Sequence, residues 1–311
     1  MVTVDQPAAT PATTPVRRTG TLLKDSRGYR VFRVANVGVL LLVMAATLYP
    51  FLMIVARSFS SDTAIRSGKV SIVPVGFDLT TYRLVMSDAM FWTNYKNTVV
   101  YTVVATLIAI VLTTCYAYVI SKHHLRGRSV LIGIAVFTMF FNGGLIPNYV
   151  LITSLGLKNT LWAIVLPNAI SVFNLLVMKS FFENLPRDLE EAAQIDGLGT
   201  YGILWRIVIP LSKAVLATMV LFYAVSFWNS WFAAFLYMDR SELFPVTVYL
   251  RNLIAGSSTA QSAGAAAGDV AQVSASIQSV TMVLTVLPIL AVYPFVQRYF
   301  VSGVMLGSVK G

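Results

Sequence analysis

The sequence predicts an all-α integral membrane protein of about six transmembrane helices, and three observations carry that reading. Hydrophobic residues make up 57% of the 311, against 12% charged. The mean hydropathy is +0.73. Apolar runs of roughly 20 residues recur along the chain, each long enough at about 1.5 Å per residue to cross a hydrocarbon core about 30 Å thick. A soluble domain of this length needs a charged surface, and 23 Lys and Arg with 13 Asp and Glu are too few to make one.

The elements follow in order. Residues 1–33 are polar, rich in Thr, Pro and Ala and then basic through Arg17, Arg18, Lys24, Arg27, Arg30 and Arg33, a composition that predicts a disordered cytoplasmic leader. The apolar run 34–56 is too long for the core of a cleaved signal, and no small-residue cleavage site follows it, so it is read as the first transmembrane helix. Residues 57–93 form an extracytoplasmic segment too long for a turn. Residues 94–297 hold the transmembrane core, with spans expected over 94–120, 129–153, 160–181, 207–237 and 276–296. Inside it, a second long outer segment near 239–275 becomes Gly, Ala and Ser-rich over 256–271, which predicts flexibility. Residues 298–311 are the tail. Six spans put both termini on one side. The leader, 122–128, 179–213 and the tail hold 15 of the 23 Lys and Arg, which places that side in the cytoplasm.

The formal charge of +10 does not point to nucleic acid, because the basic residues sit between apolar runs instead of on one solvated face. Their placement suits topology signals and anionic lipid headgroups. Cys115 is the single cysteine, which excludes an intrachain disulfide and a cysteine-cluster metal site. Gly197, Gly199 and Gly202 fit G-x-G-x-x-G but lack the preceding strand and the acidic residue about 20 positions on; they read as a helix stop and turn. No G-x-x-x-x-G-K-[ST] run is present, so ATP has no phosphate cradle here. His123 and His124 are adjacent, a spacing that does not aim two imidazoles at one ion from a helix. No metal, cofactor or catalytic constellation is expected.

A proton or ion relay needs ionisable groups inside the spans. Those of this chain fall in loops or near span ends. What the spans hold is uncharged polarity: Asn142, Asn148, Asn168, Asn174 and Asn229, with Tyr149, Tyr223, Trp228 and Trp231. Amides hydrogen-bond hydroxyls and aromatic faces stack on sugar rings, so these are candidates for the path of a neutral hydroxylated solute. The same residues also serve as interhelical glue and interfacial anchors.

Between the fourth and fifth spans runs Leu185-Pro-Arg-Asp-Leu-Glu-Glu-Ala-Ala-Gln-Ile-Asp-Gly197. It has the grammar of a short helix outside the membrane: Asp188 as N-cap with Glu191 as its capping-box partner, Pro186 before the start, Gly197 as the stop. Asp196 near the C-terminus opposes the helix dipole, which suggests a partner group elsewhere. The run Glu191-Ala-Ala-x-x-x-Gly197, then nine residues, then Ile207-x-Ile209-Pro210 resembles the EAA loop of ABC-importer permeases, whose usual ending is I-x-L-P. Asn142-Gly-Gly-Leu-Ile-Pro147 and the closing run from Tyr293 extend the resemblance to the maltose-permease-like carbohydrate type, especially its lipoprotein-associated oligosaccharide branch. The resemblance implies that Glu191, Ala192, Ala193, Asp196 and Gly197, with Pro210 closing the motif, form a coupling helix near 188–199. That helix would dock on a cytoplasmic ABC ATPase dimer. It further implies a second, different permease chain, an extracytoplasmic solute-binding protein and a carbohydrate, an oligosaccharide in this branch's manner, moved by alternating access with hydrolysis on the separate subunit. The alternative is a secondary transporter or channel for a neutral polar solute, which would call for charged or unwound sites within the spans.

Overall fold

A computed structural model describes residues 27–262 and 270–305, with side chains described for 27–255, 276–292 and Pro294. Most of the expected leader, part of the Gly/Ala/Ser segment and the end of the expected tail lie outside the described residues. The chain divides at Pro50 into two units. The first contains most of helix α1 (Arg27–Ser58), whose 32 residues span about 48 Å. That exceeds a hydrocarbon core by several turns. The helix begins seven residues before the expected Val34, because nothing in Arg27–Arg33 breaks it and a helix satisfies its own backbone groups as it leaves the apolar layer.

The second unit begins at Phe51. After the end of α1 come α2 (Asp62–Arg66) and α3 (Thr80–Ser87), short helices that, with a single bridge between Ser60 and Phe77, organise the segment expected only as a long connection. Phe59 stacks between Phe77 and Tyr82, and the Thr81 and Ser276 hydroxyls share a 2.8 Å hydrogen bond. Helix α4 (Ala89–Ser121) follows, started by Asp88, whose carboxylate accepts from Met90 N at 2.8 Å and from the Tyr249 hydroxyl at 2.6 Å.

The middle spans are not simple rods. The expected span 129–153 is two helices, α5 (Arg128–Phe140) and α6 (Leu145–Ser154), bent by 114° at Phe141-Asn-Gly-Gly144. Gly144 has φ +92°, a conformation closed to most side chains. The next pairs α7 (Trp162–Val165), extended by a 3-10 turn over Leu166–Asn168, with α8 (Val172–Glu183), at 51°. Pro167 lies in the 3-10 turn just before the break. After α9 (Arg187–Ile195), the fifth expected span runs as α10 (Thr200–Ile203), a π-turn over Leu204–Val208 and α11 (Ile209–Leu211), bent by 85° from α12 (Lys213–Trp228). It stops at Trp228, nine residues short of the expected end. Periodicity could not reveal these bends, since both arms of each pair are apolar. By length and composition, two helices cross alone, and the bent pairs raise the described spans to five.

The chain then forms α13 (Phe232–Tyr237), a 3-10 turn (Ser241–Leu243), α14 (Val246–Ser262) and α15 (Val270–Met305), whose described apolar stretch is Ser276–Val292. Helix α14 occupies much of the segment expected to be flexible, because Val246 and Val248 are fully buried against neighbouring helices. Helix α15 continues past the expected end of the last span.

Helix α4 is the central stave. Its inward residues are mostly small: Thr98, Thr102, Ala105, Thr106, Ala109, Thr113, Thr114 and Ala117 are buried, letting α8 and α12 approach closely. Its beginning also grips the turn after α13. Asn97 Nδ2 donates to the carbonyls of Glu242 (2.6 Å) and Phe244 (3.2 Å), Tyr101 donates to Leu243 O (2.9 Å), and Val246 N donates to Thr98 Oγ1 (2.7 Å). Replacing Asn97 by Ala leaves two carbonyls without these donors, a loss of about 1 kcal/mol. The expected result is an apparent melting temperature in detergent lower by roughly 2–4 °C, measured by thermal denaturation of the purified chain.

Candidate functional site

Helix α9 lies beside the far end of α4, about 37 Å along that helix from the Asn97 anchor by residue count. Its start differs from the sequence expectation. Pro186 is the N-cap and no side chain caps the helix, so Asp188 stands in the first turn and the Asp188–Glu191 capping box does not form. Proline fixes the entry angle and lacks an N–H to satisfy, while Asp188 and Glu190 still place negative charge at the positive end of the dipole. The stop is as expected. Gly197 has φ +81°, Leu198 N donates to Ala193 O at 2.9 Å and Gly197 N to Gln194 O at 3.0 Å, the paired bonds of a Schellman ending.

Two faces of α9 do different work. Ala193 is 4% exposed and belongs to a core cluster with Tyr118, Leu175, Met178, Phe182 and Ile203. It seats the helix against its own chain. Glu191, Ala192, Asp196 and Gly197 are exposed. Beside them Ile195 is 87% and Tyr201 81% exposed, two large apolar groups that the sequence reading passed over. Their signal was available: in a polar segment, an apolar residue off the buried stripe has no reason to be apolar unless something covers it.

Charges tie α9 to the bundle. Lys122, just past α4, pairs with Glu190 while its ammonium lies 4.1 Å over the Tyr118 ring. Glu183, at the end of α8, pairs with Arg128 and accepts from Lys179 at 2.8 Å, with His123 Nε2 at 4.0 Å. Arg128 Nε also donates to Ile120 O at 2.8 Å. One carboxylate thus joins the ends of α4, α5 and α8, and a second joins α9 to α4. Pro210 stands two residues before the 85° bend at Ser212, and its missing N–H removes the helix bond that would reach back to Arg206 O. It lies in α11, in the arm that leads from α9 to the bend.

The solute-path candidates separate into two groups. Tyr223 is buried, its hydroxyl 2.6 Å from Thr113 Oγ1 and accepting from Ser171 N at 2.9 Å; Trp228 is buried and donates to Thr285 O at 3.1 Å; Asn174 is buried in α8. The first two join helices, and Asn174 is packed inside the bundle. Asn142, Asn148, Asn168, Asn229 and Trp231 are exposed. Asn142 and Asn148 meet at the α5–α6 break, where Asn142 Oδ1 accepts from Gly144 N at 2.9 Å and from Asn148 Nδ2 at 3.4 Å. Tyr149 stacks on Tyr237 with centroids 6.2 Å apart, next to a clasp in which Lys158 and Asn159 hold Asp239 at 3.0 and 3.1 Å. The Lys158 hydrogen bond, then that of Asn159, keeps the Asp239 carboxyl below its ordinary range. The clasp is therefore complete at neutral pH and opens only as pH falls through that lowered value. A cavity of about 180 Å³ beside Trp228 is lined otherwise by Thr102, Leu221, Ala224, Val225, Pro288, Ile289 and Val292, too apolar for a polyol.

Residues 128–306 match the family described as binding-protein-dependent transport system inner membrane component. Over 289 residues the chain is 41% identical to protein LplC of Bacillus subtilis (strain 168), covering 93% of this chain and 98% of that protein. It is 38% identical to the polygalacturonan/rhamnogalacturonan transport system permease protein YtcP of the same organism, covering 91% and 99%. It is also similar to a chain in the crystal structure of a bacterial ABC transporter involved in the import of the acidic polysaccharide alginate, with a TM-score of 0.81 and 36% identity over 88% of this chain and 98% of that one.

The pair at Lys122 sets how firmly α9 is held. Lys122→Glu sets a second carboxylate against Glu190 and should raise amide hydrogen exchange across Arg187–Ile195 roughly five-fold, the equivalent of about 1 kcal/mol. Adding Glu190→Lys should restore protection, as read by mass spectrometry.

Proposed function

Because this chain belongs to the family of binding-protein-dependent transport system inner membrane components, we propose that it couples through α9 to a cytoplasmic ATPase dimer and moves carbohydrate between itself and a second, different permease chain. The chain is an ABC-importer permease subunit in a bacterial membrane, not itself an enzyme, and an ATPase and a solute-binding protein belong to its assembly. The observation that carries the coupling assignment is a short helix that turns Glu191, Ala192, Asp196 and Gly197 outward while Ala193 and Glu190 lock it to the bundle. A partner groove that closes on this exposed face moves α4 and α8 with it, since the Lys122–Glu190 and Glu183 pairs make the joint stiff. Rigid-body switching between inward-open and outward-open states follows from such a joint.

In this reading α9 lies in the cytoplasm with both termini, and the surface formed by α2, α3, α13 and the start of α14 faces the solute-binding protein. Asn142, Asn148, Asn168, Asn229 and Trp231 are the path candidates. Tyr223, Trp228 and Asn174 serve packing, and Tyr149 serves the clasp. A carbohydrate cargo is supported by the relatives, which are named for polygalacturonan/rhamnogalacturonan and alginate. The broken spans supply unwound sites of the kind a secondary transporter or channel would call for, but the family membership decides against that reading.

Two variants test it in the assembled importer. Glu191→Lys should leave membrane expression near normal while co-purification of the ATPase and sugar uptake fall at least ten-fold, a charge reversal at an interface; normal uptake would overturn the coupling role. Asn229→Ala should keep assembly and lower uptake several-fold, and unchanged kinetics would return Asn229 to packing.

A further inference from the structure

One cation at the end opposite α9 has no part in the foregoing. Arg251, in the second turn of α14, holds its guanidinium 4.0 Å from the ring centroid of Phe235 and 5.0 Å from that of Trp231. Both rings are exposed and Arg251 is half-buried between them and solvent. The platform is fixed. Thr247 Oγ1, one turn before Arg251, donates to Ser230 O at 3.2 Å; Val246 N is held by Thr98; and the Tyr249 hydroxyl is held by Asp88.

Asp239 is held by Lys158 and Asn159, and Asp88 by Met90 N and Tyr249. Among the described residues no carboxylate forms an ion pair with Arg251. A guanidinium that lies over aromatic faces keeps its N–H edge open, and that edge matches a planar carboxylate with two parallel hydrogen bonds. Asn229, two residues before Trp231, spends Nδ2 on Val225 O at 2.9 Å and keeps Oδ1 as an acceptor for hydroxyls. Cation, ring faces and amide oxygen together make a surface for a sugar that bears both hydroxyls and a carboxylate, which the uncharged polarity of the spans alone did not suggest.

We propose that Arg251, on the platform of Trp231 and Phe235, binds the carboxylate of uronic acid units, and that the cargo of this permease is an acidic oligosaccharide instead of a neutral one. The proposal rests on the carbohydrate-importer reading above. Its rival is purely structural: Arg251 as a prop between α13 and α14.

The test uses the whole importer in nanodiscs at saturating solute-binding protein. ATP hydrolysis and uptake are measured with trigalacturonate and trimannuronate and with the methyl esters of both, which keep every ring and lose the charge. The wild type should respond to at least one free acid at a concentration at least ten-fold lower than to its ester. Arg251→Gln should weaken the response to the acid about ten-fold or more and leave the ester response unchanged, and Arg251→Lys, which keeps the charge without the fork, should recover part of the loss. Equal loss for acid and ester in both variants identifies a prop and overturns the proposal. A wild type that prefers the esters overturns it as well. A wild type with intact basal hydrolysis that responds to no acid, no ester and no neutral oligosaccharide overturns the carbohydrate reading itself, before any variant is made.

Discussion

Helices in lipid gain nothing by hiding apolar surface from one another, so a bundle must be held by close approach and by polar contacts. Helix α4 meets that constraint for the second unit of this chain. Its Thr and Ala face lets α8 and α12 come near, and Tyr223 closes the junction by bonding Thr113 on α4 and the N-terminal turn of α8. One end of the same helix grips the 241–246 turn through Asn97, Thr98 and Tyr101; the other reaches α9 through Lys122. The two ends are therefore joined by one continuous stave, with a polar joint at each.

The bent spans answer a second constraint, that every backbone group inside the apolar layer needs a partner. Gly143 and Gly144 at the α5–α6 break, Pro167 before α8 and Pro210 before Ser212 release helix bonds at defined places. Asn142 and Ser171 supply replacement acceptors there, to Gly144 N and Asn174 N. Broken helices of this kind create turns and exposed amides at depth, where a straight bundle has only side chains.

Much of the α9 region was legible in the sequence because its determinants are local. A proline before the start, a glycine in the left-handed conformation at the stop and acidic residues in the first turn are all encoded within thirteen residues. The choice between Asp188 and Pro186 as cap was not legible, since both lie within the usual uncertainty of a helix start. Nor was the inward turn of Ala193, which depends on where Tyr118, Met178 and Phe182 arrive from other helices. For the polar residues of the spans the sequence left glue and path open. Tertiary structure separates them, burying Tyr223 and Trp228 with partners more than 50 residues away and leaving Asn229 and Trp231 exposed.

By itself, then, the sequence determined the solvent, the helical class, the approximate positions of the apolar runs and the motif of the loop between α8 and α12, because hydropathy, helix stops and spacing are properties of neighbouring residues. Tertiary structure alone decided the bends, the Lys122–Glu190 and Glu183 pairs, the two faces of α9 and the stacking of Arg251 on Phe235 and Trp231. Each of those is a meeting of residues far apart in the chain or a direction chosen by packing, and no local pattern specifies which distant surface a side chain will find.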